Sequence, residues 1–128
     1  WRRVQARHAA AAEAEAAHRD ALLHAERKAA KRARYAAEAA VPVLGERADR
    51  FARRLDAVQE ALGEHHDARA LADSLRSAAA VAPDAREPTF THGVLAAGEQ
   101  SRALHALTTH EAAWRRLTSG RTVGWLED

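Results

Sequence analysis

The chain has 128 residues and a formal net charge of +2, from 20 lysine and arginine residues against 18 aspartate and glutamate residues. Alanine supplies 35 of its 60 hydrophobic residues, and isoleucine, methionine and cysteine are absent. Without cysteine there is no disulfide framework, thiolate metal site or cysteine nucleophile. No apolar run approaches the ~20 residues that span a bilayer, and the first residues lack the order of a secretory signal. We therefore expect a cytoplasmic protein with no membrane partner.

The first two predicted elements are long helices joined by a short loop. Residues 2–41 are rich in alanine, glutamate and arginine, which are strong helix formers, and predict one helix or two joined near Arg19-Asp20. Val41-Pro42 is expected to end this helical stretch, because proline disfavours the α conformation in the residue before it. A second helix is predicted from about residue 46 to 80, and its apolar stripe at helical period is formed by Phe51, Leu55, Val58 and Leu62.

The C-terminal part predicts shorter helices. Residues 81–88 contain two prolines and are expected to form a loop before a third helix that starts at Thr89. Thr108-x-x-Glu111 fits a capping box and predicts a short fourth helix. The fold class is therefore an all-α antiparallel helical bundle with a long helical hairpin, over residues 1–120, followed by a tail over residues 121–128. The predicted apolar side of the third helix consists of Phe90, Val94, Ala97 and Leu104, and Trp125 is expected to anchor the tail.

The positive charge is concentrated in one short segment. Residues 24–35 read HAERKAAKRARY and carry five cationic residues and one acid, a net charge of +4. The other 116 residues carry 15 cationic and 17 acidic residues, a net charge of −2. A local excess of this kind needs a local explanation.

A helical wheel at ~100° per residue gives this segment two faces. His24, Arg27, Lys28, Lys31 and Tyr35 fall on one face, flanked by Arg32 and Arg34, and the opposite face consists mainly of alanine. Glu26 is the odd residue, because it falls on the alanine side. Like charges repel at these spacings, and the row extends over about 16 Å, which suits a polyanion with regularly spaced charges. A solvated surface face is the alternative interpretation.

The same residues resemble a known family. His24-x-x-Arg27-Lys28-x-x-Lys31-Arg32-x-Arg34-Tyr35-x-x-Glu38 is similar to the hallmark of the CHAD family, the conserved histidine α-helical domain. The run from Arg54 to Asp67, with Gln59 and Leu62-Gly63, is similar to the second-helix motif of that family. The resemblance is clearest over residues 20–76 and points to the C-terminal half of the domain.

Membership of this family implies a basic groove between two related helical bundles and the binding of inorganic polyphosphate. It implies a non-catalytic targeting or scaffolding module, and suggests association with polyphosphate-containing granules. The second wall of the groove would come from the missing N-terminal half of the domain or from a second copy of the chain. The resemblance implies phosphate contacts from His24, Arg27, Lys28, Lys31, Arg34 and Tyr35. Secondary candidates are Arg32 beside this row, Arg47, Arg54 and His65 on one side of the second helix, and Arg102 on the third.

Other functions have weaker support in the sequence. Eight histidines raise the question of a metal site, but His65-His66-Asp67 and His105 with His110-Glu111 do not have the spacing of a metal motif. We therefore expect no catalytic residue, metal or cofactor. The alternatives to polyphosphate are general polyanion or nucleic-acid binding, and a helical protein-interaction module. Nucleic acid is disfavoured, because no helix-turn-helix or aromatic stacking platform is recognisable.

Overall fold

The computed structural model describes residues 1–81 and 86–126, with side chains described for all of these except residues 86–88. Five α-helices follow one another in the described chain, with no strand among these residues: α1 over Arg2–Glu13, α2 over Ala16–Leu44, α3 over Glu46–Val81, α4 over Arg86–Leu117 and α5 over Gly120–Val123. A 3-10 turn at Gly124–Leu126 follows. The predicted all-α helical fold is confirmed.

The N-terminal helical stretch is interrupted earlier than predicted. Ala14 and Glu15 have extended backbone conformations, with ψ angles of 142° and 153°, so α1 and α2 meet there and not at Arg19-Asp20. The prediction that Val41-Pro42 ends the helix is wrong, because α2 includes Pro42 and continues to Leu44. Gly45 then joins α2 to α3 with a φ of 63°, a left-handed value that glycine adopts without a steric penalty.

The C-terminal part forms one long helix where two shorter ones were predicted. α4 begins at Arg86, so Thr89 does not start it. Of the predicted loop over 81–88, residue 81 belongs to α3 and residues 86–88 belong to α4, and residues 82–85 lie outside the described residues. Thr108 is not a cap: it lies inside α4 and its hydroxyl donates to the carbonyl of Leu104 at 3.5 Å. Residues 121–126 of the predicted tail are helical, and Trp125 packs against the core, with its ring T-shaped to that of Phe51 at 6.1 Å between centroids.

The core is narrow and rich in alanine. α2 packs on α1 and α3, and α3 packs on α4. The predicted stripe of α3 is confirmed as buried. The predicted apolar side of α4 is wrong, since Phe90 is 74% exposed and Val94, Ala97 and Leu104 are exposed too. α4 instead buries small residues against α3, and these are Ala96, Ala103, Ala106 and Ala113.

Alanine residues of α2 are likewise buried, in the contact between α2 and α3. Ala30 is completely buried, and Ala29 and Ala37 are nearly so, all within the main hydrophobic cluster. A methyl side chain lets neighbouring helices approach closely, so there is no room at these positions for a larger group. The opposite side of α2, which carries the cationic residues, is turned outward as a result.

Enlarging one of these alanines tests the close approach. We expect Ala30→Leu to destabilise the fold by about 1–3 kcal/mol, because the added atoms overfill a completely packed position. Ala36→Leu is the matched control on the same helix, at an exposed position, and we expect a change within about 0.5 kcal/mol. Urea denaturation measures both, and equal stability of the two variants would contradict the buried position of Ala30.

Candidate functional site

The cationic face of α2 has three exposed, unpaired members. Lys28, Lys31 and Arg32 are exposed and form no ion pair with any residue of the described chain. The ammonium of Lys31 lies over the ring of Tyr35, 5.7 Å from its centroid, and Tyr35 is 49% exposed. These four side chains therefore present positive charge and one phenolic hydroxyl to solvent along one side of the helix.

Arg34 differs from these residues because acids already neutralise it. Its guanidinium donates a hydrogen bond to Asp56 on α3 and lies 3.4 Å from the Glu38 carboxylate. The hydrogen bond to Asp56 is the largest influence on the pKa of Arg34 and raises it above its ordinary value. The guanidinium also lies over the Tyr35 ring, 4.9 Å from the centroid. Arg34 thus links α2 to α3, and an incoming anion must compete with two carboxylates for it.

Arg27 reaches across the seam between α2 and α3. It is half-buried, and its Nε is buried without a hydrogen-bond partner among the described residues. The guanidinium passes over Gly63 of α3, where an added Cβ would lie 3.3 Å from Nε and 3.6 Å from Nη2. Gly63 belongs to the second family-like motif. The structure explains the glycine, because the Arg27 side chain occupies the space that a larger residue at this position would need.

His24 lies at the same seam, beside a second histidine. The rings of His24 and His66 on α3 are 5.1 Å apart between centroids, and Nδ1 of His24 is buried without a hydrogen-bond partner in the described chain. The pKa of His24 is lowered, first because partial burial disfavours the charged ring. The nearby charges of Lys28, His66 and Arg27 lower this pKa further. His24 therefore takes up a proton less readily than an exposed histidine does.

His65 is not a groove-wall residue. It is buried under α4, where its Nδ1 donates to the carbonyl of Ala103 at 3.1 Å, and its Nε2 lies 3.1 Å from Oδ1 of Asp20. Burial opposes ionisation of Asp20, but the hydrogen bonds from His65 and Arg69, together with the positive charge of Arg69, outweigh this and hold its pKa below the ordinary value. His65 therefore ties α2, α3 and α4 together, and its place as a secondary phosphate contact is corrected to a structural one.

The remaining secondary candidates outside α2 lie on α3 and α4. Arg102 is paired with Glu99 at 2.9 Å and lies 3.4 Å from Glu64, so its charge is offset by neighbouring acids. Arg47 is exposed near the start of α3. Arg54 lines a surface pocket that contains no residue of α2. Of the predicted second wall, His65 is buried, whereas Arg47 and Arg54 are exposed on α3.

The pocket beside Arg54 is a second concentration of positive charge. Its lining brings together four arginines from α3, the end of α4 and α5, with Ser119. Because these residues are separated by up to 67 positions in the chain, no local sequence window shows the cluster. The four are Arg54, Arg115, Arg116 and Arg121.

Comparison with known proteins identifies a family for the first three helices. The CHAD domain model matches residues 1–76, which cover α1, α2 and most of α3. The chain belongs to the CHAD family. The described helices include none that is long and apolar enough to cross a membrane.

The relatives are much longer proteins. Two uncharacterized proteins of Mycobacterium tuberculosis, from strains CDC 1551 and H37Rv, are each 38% identical to the chain over 100 residues. The match covers 78% of this chain and 18% of each relative. The chain therefore spans less than a fifth of the length of the curated relatives that it matches. No solved structure matches it significantly.

The lowered pKa of His24 predicts a pH dependence of stability. Because the unfolded chain takes up this proton more readily than the folded one, the free energy of unfolding falls as the pH drops below about 6.5. We expect His24→Gln to lose less stability than the parent when the pH is lowered from about 7.5 to about 5.5, roughly one unit either side of the ordinary histidine pKa. Urea denaturation at the two pH values measures the difference. His18→Gln, at an exposed position of the same helix, is the control. An unchanged pH profile in His24→Gln would refute the assignment.

The contact of Arg27 with Gly63 predicts an unusual glycine substitution. Replacing glycine by alanine inside a helix stabilises it by about 0.5–1 kcal/mol. We expect this gain in Gly98→Ala, because outside the adjoining helix backbone no atom of the described residues lies within 4 Å of the added Cβ. We expect a smaller gain or a loss in Gly63→Ala, since the Arg27 guanidinium must move aside. Thermal denaturation compares the two, and equal gains would show that Arg27 does not occupy this space.

Proposed function

We propose that the chain binds inorganic polyphosphate on the outer face of α2 and acts as a non-catalytic binding module. The observation that carries this proposal is the absence of counter-charges: Lys28, Lys31 and Arg32 have no acidic partner within the described chain. Arg34, Arg53, Arg69, Arg76 and Arg102 are paired with acids, whereas these three unpaired cations lie within five consecutive residues of one helix. Unpaired cations in a row keep their full attraction for an anion.

Chemistry and spacing favour phosphate as that anion. Lysine offers a point charge with three donors, and arginine offers a planar fork that matches phosphate oxygens. Eleven helical steps from His24 to Tyr35 extend over about 16 Å, so several phosphates of one chain contact the face together. Binding would release counterions from the polyanion and should weaken as salt is added.

Residues at the contact between α2 and α3 would extend the binding surface beyond α2. Arg27 over Gly63 and His24 beside His66 lie where α2 meets α3. At the other end, Asp56 and Glu38 hold Arg34 and add negative charge. The polyphosphate is therefore expected to lie mainly between His24 and Lys31, with Arg34 as a secondary contact. A bound phosphate would also favour protonation of His24, so binding strengthens as the pH falls below the ordinary histidine range.

A second wall would come from outside the chain. The curated relatives are more than five times as long as the matched segment, which leaves length for a further half-domain as one source, and a second copy of the chain is the other. The exposed apolar side chains of α4, including Phe90 and Leu104, support an additional protein contact. We place the module in the cytoplasm, with polyphosphate-containing granules as its destination.

General polyanion binding is the second candidate function. The arginine cluster at Arg54, Arg115, Arg116 and Arg121 favours it, because this surface also lacks ion pairs among the described residues and could hold phosphates of other polymers. Competition separates the two functions. Poor displacement of polyphosphate by duplex DNA of equal total charge supports the narrow face of α2, whereas equal displacement supports a general polyanion binder.

Removal of two charges tests the assignment to α2. We expect Lys28→Gln with Lys31→Gln to weaken polyphosphate binding at least about tenfold and to lower the steepness of its salt dependence by about 1.4, since each contact contributes roughly 0.7. Calorimetric titration at several salt concentrations measures both quantities.

The matched control removes two charges elsewhere. Arg3→Gln with Arg7→Gln changes the net charge equally, at exposed positions of α1, and is expected to alter affinity less than about threefold, a long-range effect that salt screens. Circular dichroism checks that both double variants are folded. Equal losses in the two would show that net charge, and not the face of α2, determines binding.

A further inference from the structure

A buried cluster on the far side of α2 is not used by the polyphosphate proposal. It joins three helices, because His8 lies on α1, Glu26 on α2 and His110 on α4. Nδ1 of His8 lies 3.0 Å from Oε1 of Glu26, and Nε2 of His110 lies 2.8 Å from the same oxygen. The three potential ligand atoms are all within 4.8 Å of one another.

Glu26 makes this cluster unusual for a protein interior. Its side chain is completely buried, and its second oxygen, Oε2, has no hydrogen-bond partner among the described residues. An ionised carboxylate is rarely buried unless it is paired, hydrogen-bonded or bound to a metal. Two histidines satisfy one oxygen, and the other oxygen is left with unused capacity to bind a cation.

Space for a ligand adjoins these groups. A pocket of about 140 Å³ is lined by His8, Glu26 and His110, so the three side chains share one opening. Arg19 and Glu111 also line it, one charge of each sign. The pocket therefore has room for a small ion with a water molecule, and its remaining charged groups offset one another.

We propose that His8, Glu26 and His110 form a binding site for a divalent transition-metal ion of the Zn²⁺ class. Two imidazole nitrogens and one carboxylate are a ligand set that Zn²⁺ accepts with a fourth position left for water. Bonds of about 2.0–2.1 Å in a tetrahedral site separate ligand atoms by about 3.3 Å. The two distances from the histidine nitrogens to Oε1 of Glu26, 3.0 and 2.8 Å, are slightly shorter than that, and all three ligand atoms lie within 4.8 Å of one another, so the side chains need to move apart only a little for an ion to enter. Imidazole ligands favour Zn²⁺, Co²⁺ or Ni²⁺ over Mg²⁺ and Ca²⁺.

The ion would fasten the N-terminal helix to the rest of the bundle. His8 stacks on Trp114 of α4, with 3.6 Å between ring centroids, and Trp1 stacks on the same Trp114 at 5.8 Å. A metal would add coordination bonds between α1, α2 and α4 at this contact. His110 lies beyond residues 1–76, so the site depends on a part of the chain that the family model does not match.

Metal titration of the chain, prepared without a polyhistidine tag, tests the site. We expect Co²⁺ to bind with one-to-one stoichiometry, to produce the intense visible absorption of a low-symmetry Co²⁺ site, and to quench tryptophan fluorescence through Trp114. Zn²⁺ should displace Co²⁺ and raise the melting temperature, because an ion that binds only the folded state stabilises it. The absence of saturable binding would overturn the proposal and leave a hydrogen-bonded structural cluster.

Variants locate the ion. Glu26→Gln and His110→Gln each remove a ligand, and we expect affinity for Co²⁺ to fall by more than about tenfold, since even indirect changes to metal sites cost 10- to 100-fold. His105→Gln is the control, at an exposed position of α4 five residues before His110. His8→Gln, at a partly exposed residue, serves if either buried variant is unfolded by circular dichroism. Binding that persists without these ligands, or disappears in His105→Gln, would refute the site.

Discussion

The close approach of α2 to its neighbours, made by alanine side chains, determines most of the other features of this molecule. Ala29, Ala30 and Ala37 occupy the contact where larger residues would separate the helices. With small residues inside, the long cationic side chains of α2 lie at the edge of the contact or in solvent. The seam with α3 is therefore narrow enough for Arg27 to cross it at Gly63 and for Arg34 to reach Asp56.

This arrangement divides the cations of α2 into two groups. Those at the seam are held: Arg34 by carboxylates, and Arg27 by its passage over Gly63. Those further out, Lys28, Lys31 and Arg32, carry unpaired charge into solvent. The residues fixed at the seam give an anion-binding surface a defined shape, and the unpaired residues attract the anion. The overall charge of +2 conceals the concentration of cations on α2, because residues 24–35 carry a net charge of +4 and the other residues carry −2.

The sequence predicts those features that depend on local periodicity. The stripe of α3, the outward turn of Lys28 and Lys31, and the family all follow from spacing or motif, and the structure and comparisons agree. Helix ends were predicted less well. Pro42 is accommodated within the last turn of α2, and Thr108 bonds back to a carbonyl inside α4 as hydroxyls in helices commonly do.

Features that depend on tertiary contact could not be predicted. Phe90 was expected inside because it is large and apolar, but α4 packs through its alanines and leaves that ring outside. Glu26 stood out on the alanine side of the helical wheel, yet its partners His8 and His110 are 18 and 84 residues away. The arginine cluster around Arg54 is likewise assembled only by folding.

The central claim, that polyphosphate binds the outer face of α2, is tested most directly by mapping the backbone amide signals of the ¹⁵N-labelled chain during titration with polyphosphate. The account predicts saturable shifts confined to residues 24–35 and to the neighbouring part of α3 at Gly63 and His66. It predicts little change around Arg115, Arg116 and Arg121, the competing basic surface. Shifts centred on those arginines, with residues 24–35 unmoved, would contradict the account.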